Sequence, residues 1–114
     1  MSSSNANLAT KERRLMPRKR LTGLMPGRMV NMKTERNISC RPIDISDHGL
    51  GILTAEEISD GTQLILVLPH QSIKFKILWQ KPDFGKNNLV RYGLGTEDPE
   101  LNIASVFEDA GCLK

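Results

Sequence analysis

The sequence predicts an all-β domain closed by one C-terminal helix, and three observations carry that reading. Short apolar segments alternate with clusters of Gly, Pro, Asn and Asp from Leu21 to Thr96, as strands joined by turns do. Residues 72–80 alternate with a period of two: Ile73, Phe75, Ile77 and Trp79 share one face, and Lys74 and Lys76 the other. Only after Asp98-Pro99-Glu100 does the apolar period lengthen to that of a helix.

Pro26-Gly27 reads as a turn or bulge before a first strand over residues 28–33. A second strand is expected over 38–45, and Asp44 to Gly49 is rich in turn formers. A third strand covers 49–54. In 62–68, Leu64, Leu66 and Leu68 alternate with Ile65 and Val67, giving a fourth strand that is apolar on both faces. The fifth strand is 72–80, and Gly85 with Asn87-Asn88 marks a hairpin loop before the sixth, 89–96. Asp98 is placed to cap the helix, with Pro99 and Glu100 in its first turn. Ile103, Phe107 and Ala110 form its apolar stripe, with Ala104 beside it, and Gly111 suits its end.

A chain of 114 residues supports one domain with one core. Residues 1–10 read as a disordered tail, residues 11–20 as a flexible basic arm broken by Pro17, and residues 21–114 as the folded domain. No run approaches the roughly 20 apolar residues that cross a bilayer. The N-terminus lacks the apolar core of a secretory signal, so the cytoplasm is the expected location. Cys40 and Cys112 are expected to be reduced and structural. With only His48 and His70 beside them, no zinc-like spacing occurs and no metal is expected.

Charge is unevenly distributed. Residues 11–36 hold nine Lys/Arg against two Glu, a net +7, whereas residues 37–114 hold seven against eleven Asp/Glu, a net −4. A basic arm on a mildly acidic body points to a localised anion site more than to a broad nucleic-acid surface.

Two motifs suit such a site. The first is Arg14-Leu15-Met16-Pro17-Arg18, preceded by Arg13. Guanidinium grips phosphate oxygens bidentately, matches guanine O6 and N7, and lies flat on a purine. Pro17 stiffens the segment between the two arginines. The second is Asp44-Ile45-Ser46-Asp47-His48-Gly49. Asp and Ser shape tight turns through backbone amides, and Gly49 admits either a positive φ or a close ligand. Asp44 can accept from guanine N1–H and N2–H₂, and Ser46 can donate to a phosphate or base acceptor. The bland alternatives are a solvated basic tail and an ordinary β-turn. His48 reads as an exposed turn residue. Trp79 reads as a core or rim aromatic, with base stacking as its other use, and Arg91 as an ion-pair partner or a ligand contact. No nucleophile with a paired base is visible, so no catalytic residue and no enzymatic activity are expected.

In this order and about thirty residues apart, the two motifs resemble the signature of the PilZ family. Leu50-Gly51-Ile52, Asp60-Gly61-Thr62, Trp79 and Arg91-Tyr92-Gly93 extend the resemblance over nearly the whole chain. It implies a six-stranded antiparallel β-barrel with one C-terminal helix. It also implies a receptor for cyclic di-GMP, bound by Arg13, Arg14, Arg18, Asp44, Ser46 and Gly49, with His48, Trp79 and Arg91 as secondary contacts. An arginine at position 13 implies a stacked ligand dimer. The receptor would be a monomer or weak dimer acting on an effector protein, with no resident cofactor and no nucleic acid. Its rivals are a degenerate adaptor acting by protein contacts alone and a nucleic-acid-binding barrel. Two departures from the family pattern stand out: Thr96 in place of a larger apolar residue, and a Gly- and Pro-rich stretch over 22–27 that delays the first strand.

Overall fold

The computed structural model of the protein describes residues 20–82 and 88–114. The tail and the arginine arm before Arg20, with Arg13, Arg14 and Arg18, lie outside the described residues. Seven strands form: β1 (Arg28–Asn31), β2 (Arg36–Ile38), β3 (Arg41–Ile45), β4 (Gly49–Thr54), β5 (Gln63–Val67), β6 (Ser72–Pro82) and β7 (Val90–Thr96). One helix follows, α1 (Ile103–Asp109). The strands make a single antiparallel sheet in the order β2-β1-β5-β6-β7-β4-β3, curled into a half-barrel.

The all-β architecture with a C-terminal helix is as expected, but the described residues form seven strands and not six. The segment expected as one strand over 38–45 divides at Ser39-Cys40. β2 pairs with β1, and β3 with β4. Side chains take the backbone of Ser39 out of the ladder: its N–H donates to the Glu56 carboxylate at 3.0 Å, and its carbonyl accepts from the Thr54 hydroxyl at 2.7 Å. The first strand also stops early. The Asn31 side chain accepts from the amides of Lys33 and Thr34, turning the chain toward β2.

The inner face of the sheet carries the core. Leu50, Ile52, Leu64, Leu66, Ile73, Phe75, Tyr92 and Leu94 are buried there, and Ile103 and Phe107 of α1 join the same cluster. Burying side chains of this size stabilises by about 1.5–3 kcal/mol each. The Tyr92 hydroxyl is satisfied within the core: it accepts from Ile58 N–H at 2.9 Å and donates to Glu56 O at 3.3 Å.

The helix starts later than its acidic opening suggests. Asn102 is the N-cap, its side chain accepting from Ser105 N–H at 2.9 Å. Asp98 instead accepts from Glu100 N–H in a local turn. Only Ile103 and Phe107 of the expected stripe are buried, and Ala110 is exposed. Gly111, at φ +76°, ends the helix as expected. Its N–H donates to Glu108 O, and Cys112 N–H to Phe107 O, the paired bonds of a Schellman cap.

Beyond the cap, Leu113 forms an antiparallel bridge with Leu21. Thr22 N–H donates to Cys112 O at 3.0 Å, and Lys114 N–H to Arg20 O at 2.8 Å. The root of the arginine arm is therefore moored to the end of the chain that α1 delivers.

Candidate functional site

The second motif forms the β3–β4 hairpin. Ile45 pairs with Leu50, and Ser46 N–H donates to Gly49 O at 3.0 Å to close the loop. Two further bonds hold the loop against other elements. Asp47 O accepts from Ile103 N–H at 2.7 Å, where α1 begins, and His48 O accepts from Thr96 N–H at 3.1 Å, where β7 ends. The backbone of the turn is thus tied down, while the side chains of Asp44, Ser46, Asp47 and His48 stay exposed.

Gly49 is needed for space and not for a left-handed backbone, since its φ is not positive. A Cβ there would sit 3.1 Å from Ser46 Oγ and 3.3 Å from Leu94 O.

Two bulges decide what faces outward. In β3 the register shifts between Pro42 and Asp44. Pro42 is buried, so strict alternation would bury Asp44 as well; the extra residue, Ile43, turns Asp44 to the surface. Pro42 itself sits on an edge strand beside a bulge, two places where a residue without an N–H is tolerated. In β6 the register shifts between Ile77 and Trp79. Alternation placed Trp79 with Ile73, Phe75 and Ile77 on the core face; the bulge at Leu78 moves it to the outer face. Trp79 and Leu78 are 48% and 57% exposed.

With both bulges in place, the pairing lines up one outward row across four strands: Asp44, Gly51, Gly93 and Trp79. The row toward the hairpin is Gly49, Gly95 and Lys76, with the Ser46 hydroxyl against Gly49. The row on the other side is Arg41, Leu53, Arg91 and Lys81. Four glycines therefore floor β4 and β7, walled by Asp44 on β3 with Ser46 in the turn after it and by Trp79 and Leu78 on β6. The walls are three strand spacings apart, about 14 Å.

The aromatic wall lies low. A Cβ on Gly93 would fall 2.2 Å from Trp79 Cε2, so the indole lies across that glycine. Lys81 Nζ sits 5.7 Å from the ring centroid, a cation–π contact. A base stacking on Trp79 would displace only this flexible, exposed chain. At the hairpin end, Lys76 pairs with Glu97 at 4.0 Å, both exposed.

On the outer side of edge strand β3 lies a cleft of about 440 Å³. Arg20, Leu21 and Gly23 of the arm root form one wall, and Arg41 to Ile45 the other. Asp44 borders both this cleft and the glycine floor.

The structure thus brings Asp44, Ser46 and Gly49 together, with Trp79 across the same face and Arg91 in the adjoining basic row. The His48 side chain is exposed, and its carbonyl bond to Thr96 fixes the loop. Sequence reasoning missed Gly51, Gly93, Gly95 and Arg41 as site-forming residues. The glycines repeat at a spacing of two within strands, a signal of backbone that neighbouring side chains lie across, as Trp79 does at Gly93 and Leu78 at Gly95.

Among the described residues no group of three His, Cys, Asp or Glu could hold a metal ion. No helix among them is long and apolar enough to cross a membrane. Neither the curated proteins nor the solved structures yield a match. A family model described as PilZ domain matches residues 12–106, from the arginine motif to the middle of α1. Both motifs and the whole sheet fall within that match, and the chain belongs to the PilZ domain family.

Proposed function

We propose that this domain is a receptor for cyclic di-GMP that reports ligand binding to a partner protein. PilZ domains as a family are cyclic di-GMP receptors and adaptors, typically non-catalytic. The observation that carries the reading for this chain is the outward row Asp44-Gly51-Gly93-Trp79 beside the Ser46–Gly49 turn. It puts a carboxylate, a hydroxyl and an indole on one face, groups that suit a guanine-bearing dianion. Asp44 accepts from the guanine N1–H and N2–H₂ donors. Ser46 donates to a phosphate or base oxygen. Gly49 lets the ligand approach the backbone, and Trp79 offers an apolar plane at the far wall. Arg14 and Arg18 supply charge from above, and Arg13 stacks on a second, intercalated ligand.

Binding reaches a partner surface through bonds already described. The ligand turn is tied to the first turn of α1, and the arm root to the segment after it. Ordering the arm over the ligand therefore bears on both ends of the helix. The partner is an effector protein, and the receptor acts in the cytoplasm as a monomer or weak dimer.

Isothermal calorimetry of cyclic di-GMP against the full chain tests the reading. Saturable binding is expected, with a site count above one for a stacked dimer. Absence of heat at high micromolar ligand would leave the adaptor without ligand as the better account. Salt-sensitive binding to single-stranded oligonucleotides with no preference for the cyclic dinucleotide would favour the nucleic-acid reading.

A further inference from the structure

Neither motif contains Arg41, yet the cleft beside β3 converges on it. Arg20 and Arg41 line this cleft together with a single carboxylate, Asp44. Both arginines are exposed, and neither has an ion-pair partner among the described residues. Like charges brought to one concavity repel unless an anion offsets them.

The backbone is shaped to allow this approach. Gly23 has φ +92°, and a Cβ there would lie 3.6 Å from Arg41 Nε and 3.9 Å from Arg41 Nη2. The arm root thus passes in van der Waals range of the guanidinium, on a left-handed backbone that favours glycine. Arg41 also stands in the outward row next to that of Asp44. Rows on one face are two residues apart along a strand, about 7 Å. A span of that size covers the ribose between a guanine held by Asp44 and the phosphate attached to it.

We propose that Arg41, with Arg20, forms a phosphate subsite in this cleft, so that Arg41 is a ligand-binding residue outside both motifs. The proposal rests on the receptor reading above. Arg41 meets the two free oxygens of one phosphodiester with its planar fork, beside Arg20 on the opposite wall of the cleft.

The test is calorimetric titration of cyclic di-GMP into the wild-type chain and into Arg41→Gln, Arg41→Lys and Arg28→Gln, with a melting curve for each. Arg41→Gln should weaken binding at least about tenfold while melting close to wild type, since a charge-assisted contact to phosphate is lost and no core is touched. Arg41→Lys should fall between, because it keeps the charge and loses the fork. Arg28→Gln removes the same charge from β1 and should stay within about twofold of wild type at physiological salt. Equal affinity of wild type and Arg41→Gln overturns the subsite. An equal loss in Arg28→Gln also overturns it, tracing the effect to net charge. Should Arg41→Gln melt early, Arg41→Lys decides, and wild-type affinity there overturns the proposal. A wild-type chain that gives no heat refutes the receptor reading itself, a result distinct from all of these.

Discussion

Replacing Gly93 with alanine probes the packing on which the outer face depends. The new Cβ would fall 2.2 Å from both Cε2 and Nε1 of Trp79. The backbone at Gly93 is outside the left-handed region, so alanine adds no backbone strain and the cost lies with the indole. Trp79 is 48% exposed, so about half its surface is packed down. Half of an aromatic side chain's roughly 200 Å², at about 25 cal/mol per Å², is an upper bound near 2.5 kcal/mol for lifting the ring off the sheet. Alanine recovers about 0.5–1 kcal/mol over glycine in a strand, leaving a net loss of at most about 1.5–2 kcal/mol. Urea unfolding should show that loss as a lower midpoint at unchanged slope. Trp79 is the only tryptophan, so its emission should shift to the red in the folded variant. In a Trp79→Ala background the same Gly93→Ala change should be neutral or stabilising. An unchanged midpoint with unchanged emission in the single variant would refute the packing argument.

Further outcomes are expected elsewhere. Arg14→Ala or Arg18→Ala should cost about 1.5–3 kcal/mol of ligand binding, roughly 10- to 150-fold in Kd by calorimetry, and Arg13→Leu should lower the site count toward one. Tyr92→Phe removes the acceptor for Ile58 N–H inside the core, and chemical unfolding should register a loss of about 1–3 kcal/mol. Burial, aided by the Glu56 carboxylate, pushes the Cys40 thiol up to about 11 from its usual 9.0. The fold thus favours the protonated thiol, and this contribution is complete below the unfolded value and lost as pH rises from about 9 toward 11. Cys40→Ala should flatten the fall of stability across that window, and a fall as steep as in wild type would contradict the assignment.

How much of the site was legible in the sequence differs residue by residue. Asp44, Ser46 and Gly49 could be found because a turn is a local event: its residue types act on their own backbone within a few positions. Arg13, Arg14 and Arg18 stood out as a charge excess and a spacing, and they lie outside the described residues. Periodicity puts Trp79 on one face with Ile73, Phe75 and Ile77 because it assumes unbroken alternation, and a single bulge reverses it. The same assumption would have buried Asp44. The helix start was misplaced because Asp98 and Asn102 are both competent caps, and Asn102 wins where Ile103 N–H also meets Asp47 O.

By itself the sequence determined the all-β class, the closing helix with its Gly111 end, the charge excess of residues 11–36 and the Asp44–Gly49 turn. Each of these rests on residue types acting over a few neighbours, through strand alternation, capping, turn chemistry or charge. Only the tertiary structure decided that β2 and β3 are separate strands, that Asp44 and Trp79 face the same way, and that four glycines lie between them. It also decided that the arm root and Arg41 share a cleft. These are facts of register between strands distant in sequence. Where a bulge falls depends on which partner strand fills its hydrogen bonds and which core its neighbours must reach, and no local pattern carries that information.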